Sequence, residues 1–127
     1  ENRSKLFLNS SYNIFEYKDS YYNFDINTPV VSKLTTTLGF IYPLSSKFTI
    51  SPLLRYYGDK NLLNGTEIGD VLLTDLTLSY RFSKDSKLSF GAKNLFDQNY
   101  YYYGNKTKDE KMLREGRTWF TSFSYDF

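Results

Sequence analysis

Four consecutive tyrosines, Tyr100, Tyr101, Tyr102 and Tyr103, run into a stretch carrying Lys106, Lys108, Lys111 and Arg114. The whole segment "NYYYYGNKTKDEKMLREG" (99–116) joins four aromatic rings to seven charged residues. Ring faces stack on a planar aromatic ligand, and cations beside them draw in an anion through cation–π and Coulomb attraction. An aromatic anion is the ligand class that this combination would take. Tyr101, Tyr102, Tyr103, Lys106 and Arg114 are therefore the ligand-contact candidates. The same tyrosines would equally serve as a ring at the boundary between an apolar and a wet medium, with the charges forming a solvated loop. The residues alone leave both open.

Other chemistry finds no footing. The 127 residues include no His and no Cys, so the usual nitrogen and sulfur ligands of zinc and haem are missing and no disulfide framework exists. Ser and Asp are plentiful, but without His there is no Ser–His nucleophile, and no Gly-rich phosphate loop follows a strand. Asp85, Asp97 and Asp109 fall in turn-like contexts, where a carboxylate caps backbone amides. The expectation is a non-enzyme without catalytic residues, metal or cofactor. Sixteen basic residues against 14 acidic ones leave a net charge of +2, scattered along the chain, which gives no basis for a nucleic-acid partner.

The elements that must position these residues read as strands. Leu72, Thr74, Leu76, Leu78, Tyr80 and Phe82 alternate with Leu73, Asp75, Thr77, Ser79 and Arg81, apolar on one side and mostly polar on the other. The same period of two runs through Leu34 to Tyr42, Phe48 to Tyr56, and, less cleanly, Leu6 to Ile14. Leu88, Phe90 and Ala92 open a fifth strand, and "GRTWFTSFSYDF" (116–127) holds a sixth, with Phe120 and Thr121 as exceptions to its alternation. The predicted fold is all-β, an antiparallel meander of about six long strands at roughly 5–17, 32–42, 47–57, 71–82, 87–100 and 117–127. Pro52 predicts a bulge or local irregularity in the third of these.

Connection lengths alternate too. Residues 42–47 and 82–87 are short polar turns, whereas 18–31, 58–70 and 101–116 are long. In a meander this places the short turns at one end and the long loops at the other, as in outer-membrane barrels. The competing solvent is water, in a soluble all-β ligand- or carbohydrate-binding module; a small oligomeric outer-membrane structural protein is a further alternative. Three features favour lipid. The polar sides are rich in Ser, Thr, Asn and Gly where a soluble surface would carry more Lys and Glu. The strands reach the ~9–11 residues that cross a bilayer at a tilt. Aromatics, 20% of the chain, gather at the strand ends as they do at membrane interfaces. No run approaches the ~18 apolar residues of a membrane helix.

Six strands cannot close a membrane barrel, because the smallest use about eight. An open edge in lipid would leave several kcal/mol of unmet hydrogen bonding per exposed peptide group. The chain is therefore expected to form part of a larger wall. Its start, "ENRSKLFLNSSYN", has no charged-then-apolar leader, so the expectation is that the natural chain begins upstream and that the last strand, ending on Phe127, is its true end.

Two motifs carry a family resemblance. "KLSFGAKNLFDQNYY" (87–101) supplies Asn94, Leu95, Phe96, Asp97 and Tyr100, and about twenty residues later "EGRTWFTSFSYDF" supplies a Gly-Arg pair and a terminal Phe. This pattern resembles the C-terminal end of a TonB-dependent outer-membrane receptor. The resemblance implies a segment of a roughly 22-stranded transmembrane β-barrel with an N-terminal plug, located in the bacterial outer membrane and importing a ferric siderophore or similar scarce ligand with energy delivered through TonB. Signal peptide and plug would lie outside this chain. Arg55, Arg81 and Lys93, on the polar side, become candidates for lining the lumen or pairing with the plug. Phe123, Tyr125 and Phe127 become candidates for the signal read by the outer-membrane insertion machinery. The implied partners are the lipid bilayer, the rest of the barrel and its plug, the TonB complex, the insertion machinery and an iron complex.

Overall fold

Alternation at period two buries nothing by itself; it only sorts side chains onto two faces. The computed structural model describes residues 3–14, 31–61, 67–103 and 111–127. Among these the strands are β1 (Lys5–Tyr12), β2 (Leu34–Pro43), β3 (Phe48–Tyr57), β4 (Lys60–Asn61), β5 (Glu67–Ile68), β6 (Val71–Arg81), β7 (Ser86–Lys93), β8 (Tyr101–Tyr103), β9 (Lys111–Leu113) and β10 (Thr118–Tyr125). The six longer ones form a single antiparallel sheet in the order β1-β2-β3-β6-β7-β10, a plain meander. The remaining four make two small hairpins, β4-β5 and β8-β9, inside connections that the sequence pattern had left as loops. Residues 15–17 of the expected first strand, and most of the first long connection, lie outside the described residues.

The register puts the apolar sets on one face. Leu8 pairs with Leu38, Leu38 with Leu54, Leu54 with Thr74, and lower down Phe48, Tyr80, Leu88 and Phe123 stand in one row across four strands. Among the described residues no second sheet stacks on this face. Leu8 is 67% exposed, Leu78 45% and Phe123 64%. Along β6 and the residue after it the apolar face runs from Leu72 to Phe82, ten steps or ~33 Å at ~3.3 Å per residue. Tilted by ~45°, that gives a band close to the ~25 Å apolar belt of membrane barrels.

Three hydroxyls on this face are hydrogen-bonded within the sheet. Ser10 and Thr36, partners in register, share a hydrogen bond of 2.9 Å. Thr121, an exception to the alternation of the last strand, donates its hydroxyl to the carbonyl of Ser89 at 3.1 Å. Phe120, the other exception, lies on the polar face because its ring covers Gly91 of the neighbouring strand. A Cβ at Gly91 would fall 2.5 Å from Phe120 Cζ and 2.6 Å from the Leu76 carbonyl oxygen. Phe7 covers Gly39 in the same way at the other side of the sheet. An aromatic laid over a glycine of the next strand supplies the cross-strand packing that glycine cannot.

The short turns are held by serines. Ser45 Oγ accepts from the amides of Lys47 and Phe48 (3.2 and 3.1 Å), and Ser83 Oγ accepts from that of Asp85 (3.2 Å). Aromatic rings collect beside these turns: Phe40 with Tyr42, Phe48 with Tyr80, Tyr80 with Phe82, and Tyr125 with Phe127, at centroid separations of 4.7–5.7 Å. Four of the five ring pairs seen therefore form one girdle. Pro52 creates no bulge. The β2–β3 register is the same above and below it, and the ladder only lapses opposite Phe40 and Ile41, where the missing N–H would have pointed.

The expected strand at 87–100 stops at Lys93. Asn94 and Asp97 take φ of 48° and 54°, left-handed values that end an extended run and that Asn and Asp tolerate best.

Candidate functional site

The polar face at the long-loop end is organised around Asp75. Arg55 stands opposite Leu73 in register and reaches diagonally to Asp75, with Nη2 2.8 Å from Oδ1. The same carboxylate oxygen accepts the backbone N–H of Asn94 at 2.9 Å. It thereby takes the amide that β7 would have given to β6 had the strand continued. The next amide, of Leu95, donates to the Thr74 carbonyl at 2.7 Å. Asn94 is itself buried, and its side chain closes a loop onto residue 98: Nδ2 donates to the Gln98 carbonyl and Oδ1 accepts the Gln98 amide, both at 2.9 Å.

A second carboxylate ties this turn to the last strand. Asp97 Oδ1 accepts the amide of Arg117 at 2.7 Å, and a Cβ on Gly116 would sit 2.6 Å from that same oxygen. Only glycine leaves the approach open. Arg117 then lays its guanidinium 5.6 Å from the centre of the Trp119 ring and donates to the Leu95 carbonyl at 3.4 Å. The spacing between Asn-Leu-Phe-Asp and Gly-Arg is thus that of a clamp: the first motif ends β7, and its Asp seats the start of β10 beside it. The capping role expected for Asp97 is what the structure contains; Asp109 lies outside the described residues.

Above the clamp, on the polar face, is a cavity of about 450 Å3. Arg55, Tyr57 and Val71 come to it from the sheet, Ile68 and Asp70 from the β5 side, and Tyr100, Tyr101 and Arg114 from the ends of the β8-β9 hairpin. A salt bridge holds Arg55 Nη2, while its buried Nε has no hydrogen-bond partner among the described residues. Leu73, opposite Arg55 in register, is 1% exposed. The site therefore offers aromatic faces, guanidinium groups and an acidic residue around an apolar patch, which suits an aromatic anion in size and chemistry. Among the described residues no three His, Cys, Asp or Glu side chains gather as metal ligands.

The sequence candidates fall in different places. Tyr101 and Arg114 meet at the cavity, Tyr102 and Tyr103 continue β8 against β9, and Lys106 lies outside the described residues. Arg55 finds its carboxylate on the adjacent strand. Lys93 ends β7 on the polar face opposite Thr118. Arg81 is at the opposite end, beside the short turns. Phe123, Tyr125 and Phe127 are exposed on the apolar side of β10 or just beyond it. Sequence reasoning missed Asp75, Tyr57 and Asn94. Asp75 had a signal, being the one carboxylate in an otherwise uncharged stretch of β6 on the same face as Arg55.

No family model matches the chain, and no curated protein sequence matches it. Solved structures do. A variant of the ferric enterobactin receptor PfeA of Pseudomonas aeruginosa superposes with a TM-score of 0.74 at 18% identity, covering 98% of this chain and 20% of that one. The siderophore receptor PirA of Acinetobacter baumannii gives 0.72 at 18%, with the same coverage. The ferric-catecholate import receptor Fiu of Escherichia coli K12, in its closed form, gives 0.65 at 21%, covering 75% of this chain and 14% of that one. The chain thus spans a fifth or less of the length of these proteins, all named as receptors and none as an enzyme. Its six-stranded meander has the fold of a wall segment of the β-barrels of TonB-dependent receptors.

Proposed function

We propose that this chain is the C-terminal barrel wall of a TonB-dependent outer-membrane receptor that takes up a ferric siderophore or a similar scarce anionic complex. The observation that carries the proposal is an apolar face that no other described element covers, with its aromatic girdle at the short-turn end, opposite a polar face that bears the cavity. Such a sheet needs lipid on one side and a wet lumen on the other. The likeness to receptors named for ferric enterobactin and ferric catecholate import supports an iron complex as cargo. In this reading Tyr101 and Arg114 contact the ligand at the outer end, Tyr102, Tyr103 and Lys106 are further contact candidates, and Arg55 forms part of the floor. Phe123, Tyr125 and Phe127 carry the insertion signal.

The test uses the full-length protein in its native membrane. It should resist extraction by carbonate or high salt and be released by detergent. The folded barrel should bind an iron(III)–catecholate complex, and Tyr101→Ala with Arg114→Ala should weaken binding by ~10-fold or more, equivalent to ~1.4 kcal/mol, with assembly unchanged. Release of the wild-type protein by salt alone would contradict the membrane reading. Unchanged binding in the double variant would contradict the ligand assignment.

A further inference from the structure

Arg55, Tyr101 and Arg114 reach the cavity from three parts of the chain, and what fixes them relative to one another lies below it. Asp75 Oδ1 holds Arg55 Nη2 at 2.8 Å and the Asn94 amide at 2.9 Å. Asn94 carries the connection onward. Its buried side-chain amide donates to the Gln98 carbonyl and accepts the Gln98 amide, both at 2.9 Å, and its own carbonyl accepts the Asp97 amide at 2.9 Å. Just beyond Gln98, the Tyr100 carbonyl accepts the Arg114 amide at 2.9 Å, where both strands of the β8-β9 hairpin set out. One run of hydrogen bonds thus leads from Arg55 in the floor to Tyr101 and Arg114 in the wall. Asn94 is its middle member and does not line the cavity.

Ending β7 does not require this side chain. At φ 48° a glycine would turn the chain with less strain. The two bonds to Gln98 do something else: they set the direction in which residues 99–101 leave the sheet. We infer that Asn94 is a positioning residue for ligand binding, holding Tyr101 and Arg114 over Arg55 so that the cavity stands preformed. This rests on the reading of the cavity as the ligand site. A wall already in place loses little conformational freedom when a ligand enters, which favours affinity. Asn94 acts without touching the ligand.

The test uses the detergent-folded, full-length receptor with an iron(III)–catecholate complex as probe. Asn94→Gly keeps the left-handed backbone and removes both bonds to Gln98, and should weaken binding by ~10-fold. Asn94→Asp keeps the shape and backbone preference but sets a carboxylate against the Gln98 carbonyl, and should weaken binding similarly. It carries the test if heat-modifiable migration shows that the glycine variant does not assemble. A residue that merely stabilises the barrel would add its effect to that of Tyr101→Ala. Positioning instead predicts that Asn94→Gly changes affinity little once Tyr101 is alanine, as a double-mutant cycle would read. Spin labels at 69 and 99, on the β5 and hairpin sides of the cavity, should give a narrow distance distribution in the ligand-free wild type and a broad one in either variant. Unchanged affinity in an assembled variant, additive losses, or distances as narrow as in the wild type would overturn the inference. A wild type that binds no iron(III)–catecholate contradicts the ligand reading instead, and the distances then decide alone whether Asn94 fixes the wall.

Discussion

The two ends of the polar face handle charge in opposite ways. At the long-loop end Arg55 meets Asp75 at 2.8 Å, and that carboxylate also closes the end of β7 through Asn94. At the short-turn end Lys47, Arg81 and Lys87 face one another without a carboxylate among the described residues. At one end the charge is paired within the sheet. At the other it is unpaired among the described residues. Burial sets the difference: Arg55 and Asp75 are shielded enough that an unpaired charge would be costly, whereas the short-turn cations remain exposed.

Perturbing the complete end should cost most. Asp75→Ala removes the partner of Arg55 and the acceptor of the Asn94 amide together, with an expected loss of ~3–5 kcal/mol. Urea titration of the detergent-folded barrel would measure it. Asp75→Asn, which can still accept from Asn94, should lose less; equal losses would mean that the ion pair dominates and the amide bond matters little.

Next comes the clamp. Asp97→Ala gives up the bond to the Arg117 amide and places alanine at φ 54°, for an expected ~1–3 kcal/mol. Asp97→Asn should recover most of that, since Asn tolerates the left-handed conformation and offers the same acceptor geometry. Comparable in size is Gly91→Ala, expected at ~1–3 kcal/mol, of which ring movement of Phe120 relieves only the part not due to the Leu76 carbonyl. Phe120→Leu in the same background should be less damaging than the sum of the two changes, which a double-mutant cycle would read.

These residues also mark what could be read from sequence. Strands, their order and their two faces follow from period-two alternation and connection length, because each depends only on neighbouring residues. The exceptions were legible as exceptions but not explicable: Phe120 belongs to Gly91 and Thr121 to the Ser89 carbonyl, partners fixed by cross-strand register. Lys93 as the end of β7 was hidden because Asn94 and Asp97 look like ordinary polar residues until their backbone angles are seen. Pro52 pointed to a bulge or a local irregularity, and the structure contains the second, a lapsed ladder; a lost N–H can be absorbed either way, and sequence does not distinguish them. The candidate site was half visible. Tyr101 and Arg114 were marked by their chemistry, while Asp75 and Tyr57 joined them only through a diagonal contact and a shared cavity.

The central claim is that Leu76, Leu78 and their row-mates face lipid while Thr77 and Ser79 face the lumen. Because the chain has no cysteine, spin labels can be placed at 76, 77, 78 and 79 in turn in the assembled receptor, and collision with oxygen compared with that of a water-soluble nickel chelate. The account predicts a period of two, with oxygen dominating at 76 and 78 and falling at 77 and 79. Labels at 76 and 78 shielded from both reagents would place this face against protein and contradict it.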